Sequence, residues 1–275
     1  MLTGLYSAAS GMIIQERVQD VLAQNLATSQ IPGTRRKEVV IRSFPDAMLS
    51  ETYRGLSPTT NKPRYNHAIG RVGTGAGVDW VYTDHTEGQM VHTGNKTDIA
   101  LFGDGYFTVL TPDGFRFTRQ GNFHVDQEGD LATQQGFKVV GQGINQGRNP
   151  GPINVGRNDF WVDEYGNVIT RQPDQNGIMT DTVVDQIKIT DFHNKDLLFA
   201  EPGNVYRVEE EEDKSNFKIP EDFRVAQGYI ERSNSVPTTE MVKLIDSYRT
   251  HEASARVLKS LDQTLRKAVN EIAGR

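Results

Sequence analysis

The sequence predicts an α+β fold, with N- and C-terminal helices packed as a coiled-coil-like pair and a mainly antiparallel β domain between them. Three observations carry this. Residues 237–273 contain no glycine and no proline after Pro237, and their apolar residues recur every 3.5 positions. Residues 2–29 show the same period at the opposite end of the chain. Between them lie short runs of β-branched and aromatic residues, closed by turns built on Asp and Gly.

The first helix places Leu2, Ala9, Glu16 and Ala23 on one heptad row and Leu5, Met12, Gln19 and Leu26 on the other. Six of these eight are apolar, and Pro32-Gly33 stops the helix. Gly, Ala and Ser crowd its first turns, which lowers helix propensity but permits close approach of a neighbour. The last helix carries Met241, Tyr248, Ala255, Asp262 and Val269 on one row, and Leu244, His251, Leu258, Leu265 and Ile272 on the other. Eight of these ten are apolar. At its length of about 50 Å it needs a helical partner, and the first helix is the candidate. The assembly seam expected from these rows is Leu2, Leu5, Ala9, Met12, Leu26, Met241, Leu244, Tyr248, Leu258, Leu265, Val269 and Ile272.

Between the helices, Val39–Phe44 reads as a short strand behind a basic cluster, Arg35-Arg36-Lys37, that reads as a solvated loop. Glu51–Thr74, with Pro58 and Pro63, has little periodicity and reads as an arm. Gly73-Thr-Gly-Ala-Gly-Val78 lacks the G-x-G-x-x-G spacing and the following helix of a dinucleotide site. Gly141-x-Gly-x-x-x-Gly147 is likewise a turn. Tyr106–Leu110 and Phe115–Arg119 form a hairpin around Pro-Asp-Gly. Phe123–Thr133 and Phe160–Thr170 both read F-x-V-D-x-x-G-[DN]-apolar-x-T, two copies of one strand–turn–strand unit. Val183–Phe192 alternates as one further strand, and Glu209–Asp213 reads as a loop tip. Ser235 or a nearby Thr caps the last helix, with Pro237 in its first turn. The expected domains are 1–34 with 235–275, helical; 35–77, an extended or irregular connector; and 78–234, β-rich.

Chemistry is sparse. The chain has 275 residues, a net charge of −6 and no cysteine, which leaves neither a disulfide nor a thiolate metal site. The acidic balance argues against a nucleic-acid footprint. No run is long enough to span a membrane, and the first residues lack a Sec-type signal. The six histidines have no metal-ligand spacing, and no G-x-S-x-G elbow occurs. Asp126-x-x-Gly129 is a turn without the ligand order of a calcium loop. Asp163 and Glu164 alternate in direction on a strand, so they do not converge as a glycosidase pair. No catalytic, cofactor or metal residue is expected.

Gly4-Leu-Tyr-Ser-Ala-Ala-Ser-Gly-Met12, then Gln24-Asn-Leu-Ala-Thr28 and Pro32-Gly33, resembles the N-terminal signature of flagellar basal-body rod and hook proteins. Thr28, Ile31 and Thr34 stand where that family usually has Asn, Thr and Phe. Thr93–Ala100, Gly103–Phe107 and Phe117–Phe123 are similar to its middle motif. Gln227–Ser235, Glu240-Met241 and Tyr248–Glu252 are similar to its C-terminal signature. The chain is short for a hook protein and resembles a distal-rod subunit or its Gram-positive rod-like homologues. The resemblance implies a structural, non-enzymatic subunit, exported by the flagellar type III apparatus into the basal body. It would assemble with copies of itself and other axial proteins into a torque-transmitting tube whose lumen the helices line. A secreted β-rich peptidoglycan-acting enzyme and a cytoplasmic coiled-coil adaptor are the alternatives to test.

Overall fold

The computed structural model describes residues 2–45, 47–52, 66–144, 150–156, 158–173, 179–208, 217–218, 220 and 222–273. The expected loop tip at Glu209–Asp213 and most of the Glu51–Thr74 arm lie outside them. The chain divides into two compact units. The first comprises residues 1–24, 37–82 and 238–275, and the second residues 25–36 and 83–237.

In the first unit, helix α1 (Leu2–Thr28) and helix α2 (Pro237–Ala273) pack antiparallel. Ser247 Oγ donates to Gln15 Oε1 at 2.7 Å. A Cβ on Gly11 would lie 3.8 Å from Ser254 Oγ, and one on Gly4 3.8 Å from Leu261 Cδ1. Gly4 and Gly11, among the small residues noted in the sequence, therefore face α2. Past α1, Ser29 Oγ donates to the Leu26 carbonyl at 2.6 Å and Ile31 N to the Thr28 carbonyl at 3.0 Å, satisfying carbonyls the helix leaves open. Pro237 opens α2, where its missing N–H costs nothing. Just before α2, the Ser235 hydroxyl donates to the Asn25 carbonyl at 3.5 Å.

The stretch read as a connector carries two ribbons. Strand β1 (Lys37–Ser43) pairs β4 (Ala76–Thr83), and β2 (Ala47–Thr52) pairs β3 (Asn66–Val72). Phe44 N bonds the Gly75 carbonyl at 2.9 Å and Tyr82 Oη donates to Glu38 Oε2 at 2.7 Å, so β1 and β4 run antiparallel.

The second unit opens with β5 (Met90–His92), β6 (Ile99–Gly103), β7 (Tyr106–Thr111) and β8 (Gly114–Thr118). Then come β9 (Phe123–Val125), β10 (Leu131–Thr133), β11 (Lys138–Val139), β12 (Phe160–Val162), β13 (Asn167–Pro173) and β14 (Met179–Gln186). It closes with β15 (Ile189–Phe192), β16 (Leu198–Glu201), β17 (Val205–Val208), β18 (Phe217–Lys218), β19 (Phe223–Gln227) and β20 (Tyr229–Glu231). The largest sheet has the order β16-β17-β8-β7-β11-β10-β9, and β15 joins it on β7. A second sheet is β12-β13-β14, while β19 pairs β6 and β20 pairs β5. The stretch expected as one strand over Val183–Phe192 is two: β14 pairs β13, and β15 pairs β7. Ile187 and Lys188 carry the chain across, bonded at Gly141 and Val140.

The internal echo has a structural meaning. Phe123 pairs Thr133 across β9–β10, and Phe160 pairs Thr170 across β12–β13, the same positions in both copies. Both Phe side chains enter one core with Ile99, Phe107, Leu131 and Val168. Gly129 at φ 85° and Gly166 at φ 82° close the two turns. Gly121 is required for another reason: a Cβ there would lie 1.9 Å from the Ile99 carbonyl oxygen. Gly121→Ala should destabilise the β unit by roughly 2 kcal/mol or more, read as a lower urea midpoint with helix content unchanged.

Candidate assembly surface

Burial along the two helices follows a heptad spacing, but in a phase the apolar residues do not mark. On α2 the least exposed positions are Glu240, Leu244, Ser247, His251, Ser254, Leu258, Leu261, Leu265 and Ala268. The row through Leu244, Leu258 and Leu265 is thus half-buried. The accompanying row runs one residue before the one read from apolarity, through Ser247, Ser254 and Leu261, which are the residues set against α1. Met241 is 49% exposed, Tyr248 57% and Val269 61%. Only between Ser254 and Asp262 is the face two residues wide, with Ala255 and Asp262 half-buried.

On α1 the same shift appears. Leu5, Met12 and Leu26 are half-buried, as are Ala8 and Gln15, and Leu22 is buried, whereas Glu16 and Ala23 are exposed. Ala9 is half-buried. The side chains of Leu2 and Ile272 lie outside the described residues. Opposite Gly4, Gly11 and Gln15 of α1, α2 presents Leu261, Ser254 and Ser247. The large apolar residues then turn outward: Met241, Ile245 and Tyr248 follow at i, i+4 and i+7 on α2, and Tyr6 and Ile13 at i and i+7 on α1, all exposed.

The second unit is closed by a buried ion network that sequence reading missed. Arg35, expected in a solvated loop, is buried, and its Nη1 lies 2.5 Å from Glu231 Oε1. Arg119 Nη1 lies 3.5 Å from Glu231 Oε2 and donates to the Leu101 carbonyl at 3.0 Å. Gly88 N also donates to Glu231 Oε1, at 2.8 Å. One carboxylate so holds residue 35, the end of β8 and β20 together. Arg36 is engaged too, with Asp84 Oδ2 at 3.0 Å. The partners lie far apart in sequence, so composition could not reveal them; the one clue was that Glu231 falls inside the Gln227–Ser235 motif. That motif is a clamp. Gln227 Oε1 accepts from Val162 N at 3.1 Å, and Asn234 Oδ1 from Arg36 N at 2.7 Å.

His85 sits beside the network, its Nδ1 2.7 Å from Tyr106 Oη. Burial, then the charges of Arg35 and Lys195, pull its pKa down to about 4. The carboxylates considered for catalysis serve structure. Asp163 accepts from Tyr165 N and Asn167 N in its turn, while Glu164 pairs Arg224 at 2.8 Å. Among the described residues no group of three or more His, Cys, Asp or Glu could hold a metal ion, and no helix is long and apolar enough to cross a membrane.

One unit is a helix pair with large apolar residues turned outward and the other a β unit pinned by polar clamps, and neither shows a catalytic arrangement among the described residues. Comparison with known proteins agrees. The family described as flagellar hook protein FlgE/F/G D1 domain matches residues 100–206, and flagellar basal body rod FlgEFG protein C-terminal matches residues 226–271. The flagellar basal-body rod protein FlgG of Bacillus subtilis (strain 168) is 30% identical over 282 residues, covering 98% of this chain and 99% of its own. The protein of that name from Borreliella burgdorferi is 28% identical, covering 98% of each. Flagellar basal-body rod protein FlgF of Caulobacter vibrioides is also 28% identical, covering 99% of this chain. The chain belongs to the flagellar basal-body rod protein family. Its relatives are structural proteins of the basal body, not enzymes.

Glu231→Gln should cost about 3–5 kcal/mol, because it leaves two guanidinium groups buried against a neutral amide; a urea titration of the β unit checks this. His85 is held neutral in the fold but gains a proton near pH 6.5 when unfolded. Stability should therefore be complete above pH 6.5 and fall as pH drops towards 4. His85→Gln should flatten that slope in melting temperature against pH.

Proposed function

We propose that this structural basal-body rod protein polymerises into a helical tube with copies of itself and other axial proteins, and that the tube transmits torque. The observation that carries this reading is the outward stripe of Met241, Ile245 and Tyr248. Large apolar side chains aligned on one face of a long helix gain roughly 25 cal/mol per Å² when covered, and the α1–α2 contact leaves them uncovered. Covering a face on one copy by a different face on the next gives a head-to-tail contact, which propagates as an open helical array. In the assembled tube the helices line the lumen. There the expected seam, both the half-buried row of Leu5, Met12, Leu244, Leu258 and Leu265 and the outward row of Met241, Tyr248 and Val269, packs as coiled coil.

Delivery through the flagellar type III export apparatus completes the proposal. Passage of an unfolded chain suits a sequence with no cysteine, since no thiol can form a wrong cross-link on the way. Family membership removes the peptidoglycan-acting enzyme, and the basal-body location of the family removes the cytoplasmic adaptor.

The two rows of α2 predict different defects. Tyr248→Asp or Met241→Asp should leave the monomer's helix content and melting unchanged and abolish polymers in sedimentation and electron microscopy. Leu258→Asp should instead lower monomer stability by about 1–3 kcal/mol as it opens the α1–α2 contact. Polymers of normal yield from both Tyr248→Asp and Met241→Asp would refute the assignment.

A further inference from the structure

The first unit contains a groove of about 730 Å³ between α1 and the β1–β4 ribbon. Tyr6, Ile13, Phe44 and Val78 line it, and Arg17 stands at one end. It is a built surface. The Gly73–Val78 run, too irregular for a nucleotide loop, brings the ribbon flush against α1. A Cβ on Gly75, whose φ is 128°, would lie 2.6 Å from Ser10 Oγ, and one on Gly77 would lie 3.0 Å from the Phe44 ring. Ala76 N donates to Ser10 Oγ at 3.4 Å, fixing the ribbon in register with the helix. The volume falls in the range of about 300–1,000 Å³ that takes a ligand-sized group of side chains.

The line along α1 through this groove is Tyr6, Ser10, Ile13, Arg17, at i, i+4, i+7 and i+11. The outward line along α2 is Met241, Ile245, Tyr248, Glu252, at the same intervals. Laid parallel, the two place apolar against apolar or small side chains over two turns, and a cation against an anion at the end. This is the anchor spacing of an amphipathic helix in a groove. A chain cannot satisfy its own groove. In one copy α2 runs antiparallel to α1, with Ser247 against Gln15 and Ser254 against Gly11, and it leaves Met241, Ile245 and Tyr248 exposed. Glu252 is bonded in the lone chain to Arg256 at 2.7 Å on an exposed helix surface, a pair of small worth that a buried contact can exchange. The cationic character of the groove end is visible at Lys37, whose ammonium pKa is lowered by burial and then by Arg17.

We propose that the groove of one copy receives the Met241–Ile245–Tyr248–Glu252 stripe of a second copy, in parallel register with Arg17 against Glu252. This rests on the self-assembly reading and supplies its head-to-tail contact. The absence of cysteine permits a direct test. Ile13→Cys and Tyr248→Cys are made in separate chains, mixed at polymer-forming concentration and mildly oxidised. The mixture should give at least tenfold more disulfide-linked dimer than either variant alone. Polymers that form while the mixture links no better than the single variants overturn the groove contact and leave self-assembly standing. Failure of both polymer and cross-link overturns both. Independently, Arg17→Glu should raise the concentration for half-maximal assembly at least tenfold, and adding Glu252→Arg to the same chain should restore it to within about threefold. A double variant no better than Arg17→Glu alone overturns the register.

Discussion

The structure turns on which side chains the two terminal helices bury against each other. Against α1, α2 presents Ser247, Ser254, Leu261 and the half-buried leucine row, and leaves Met241, Ile245 and Tyr248 exposed. A contact of this kind is well ordered by shape and hydrogen bonding but buries few large apolar groups. Hydrophobic stabilisation scales with area removed from water, so the pair alone leaves its largest potential contribution unused at Met241, Ile245 and Tyr248. A helix of 37 residues with that surface uncovered is suited to a neighbour. The neighbour's contribution, and with it the full stability of the helices, then depends on assembly.

The β unit answers a different demand. It must hold its shape as the chain leaves and re-enters it, and it does so with long-range polar clamps rather than more core. Glu231 pairs with Arg35 and Arg119 and accepts from the Gly88 amide at once. Such a site is intolerant of partial loss, because removing the carboxylate strands two charges out of water. Asn234 and Gln227 act in the same way on the backbone. Each takes up donors or carbonyls from segments distant in sequence, which fixes the path of the chain between β19 and Pro237.

Much of this was legible in the sequence where the determinants are local. The helix limits followed from Pro32-Gly33 and Pro237, and the two strand–turn–strand units from the repeated motif. The β7–β8 hairpin followed from Pro-Asp-Gly, and the family from motifs at both ends and in the first half of the β domain. What was not legible depended on partners. Periodicity marks which residues are apolar, not which of two adjacent rows meets the nearer helix. Met241 and Tyr248 were expected in the assembly seam, and apolarity alone does not show that the row beside them, through Ser247 and Ser254, is the one set against α1. Arg35 read as a solvated cation because its acid lies near the other end of the chain. Val183–Phe192 read as one strand because alternation continues through Ile187, where the chain passes from one sheet to another.

The central claim is that the outward row of α2 is dry only among copies. Hydroxyl-radical footprinting measures it directly, since methionine and tyrosine are reactive side chains whose oxidation reports exposure. Met241 and Tyr248 should oxidise readily in dilute monomer and become strongly protected in assembled rods, while Tyr106, buried in the β unit, stays protected in both. Equal oxidation of Met241 and Tyr248 in monomer and rod would contradict the account.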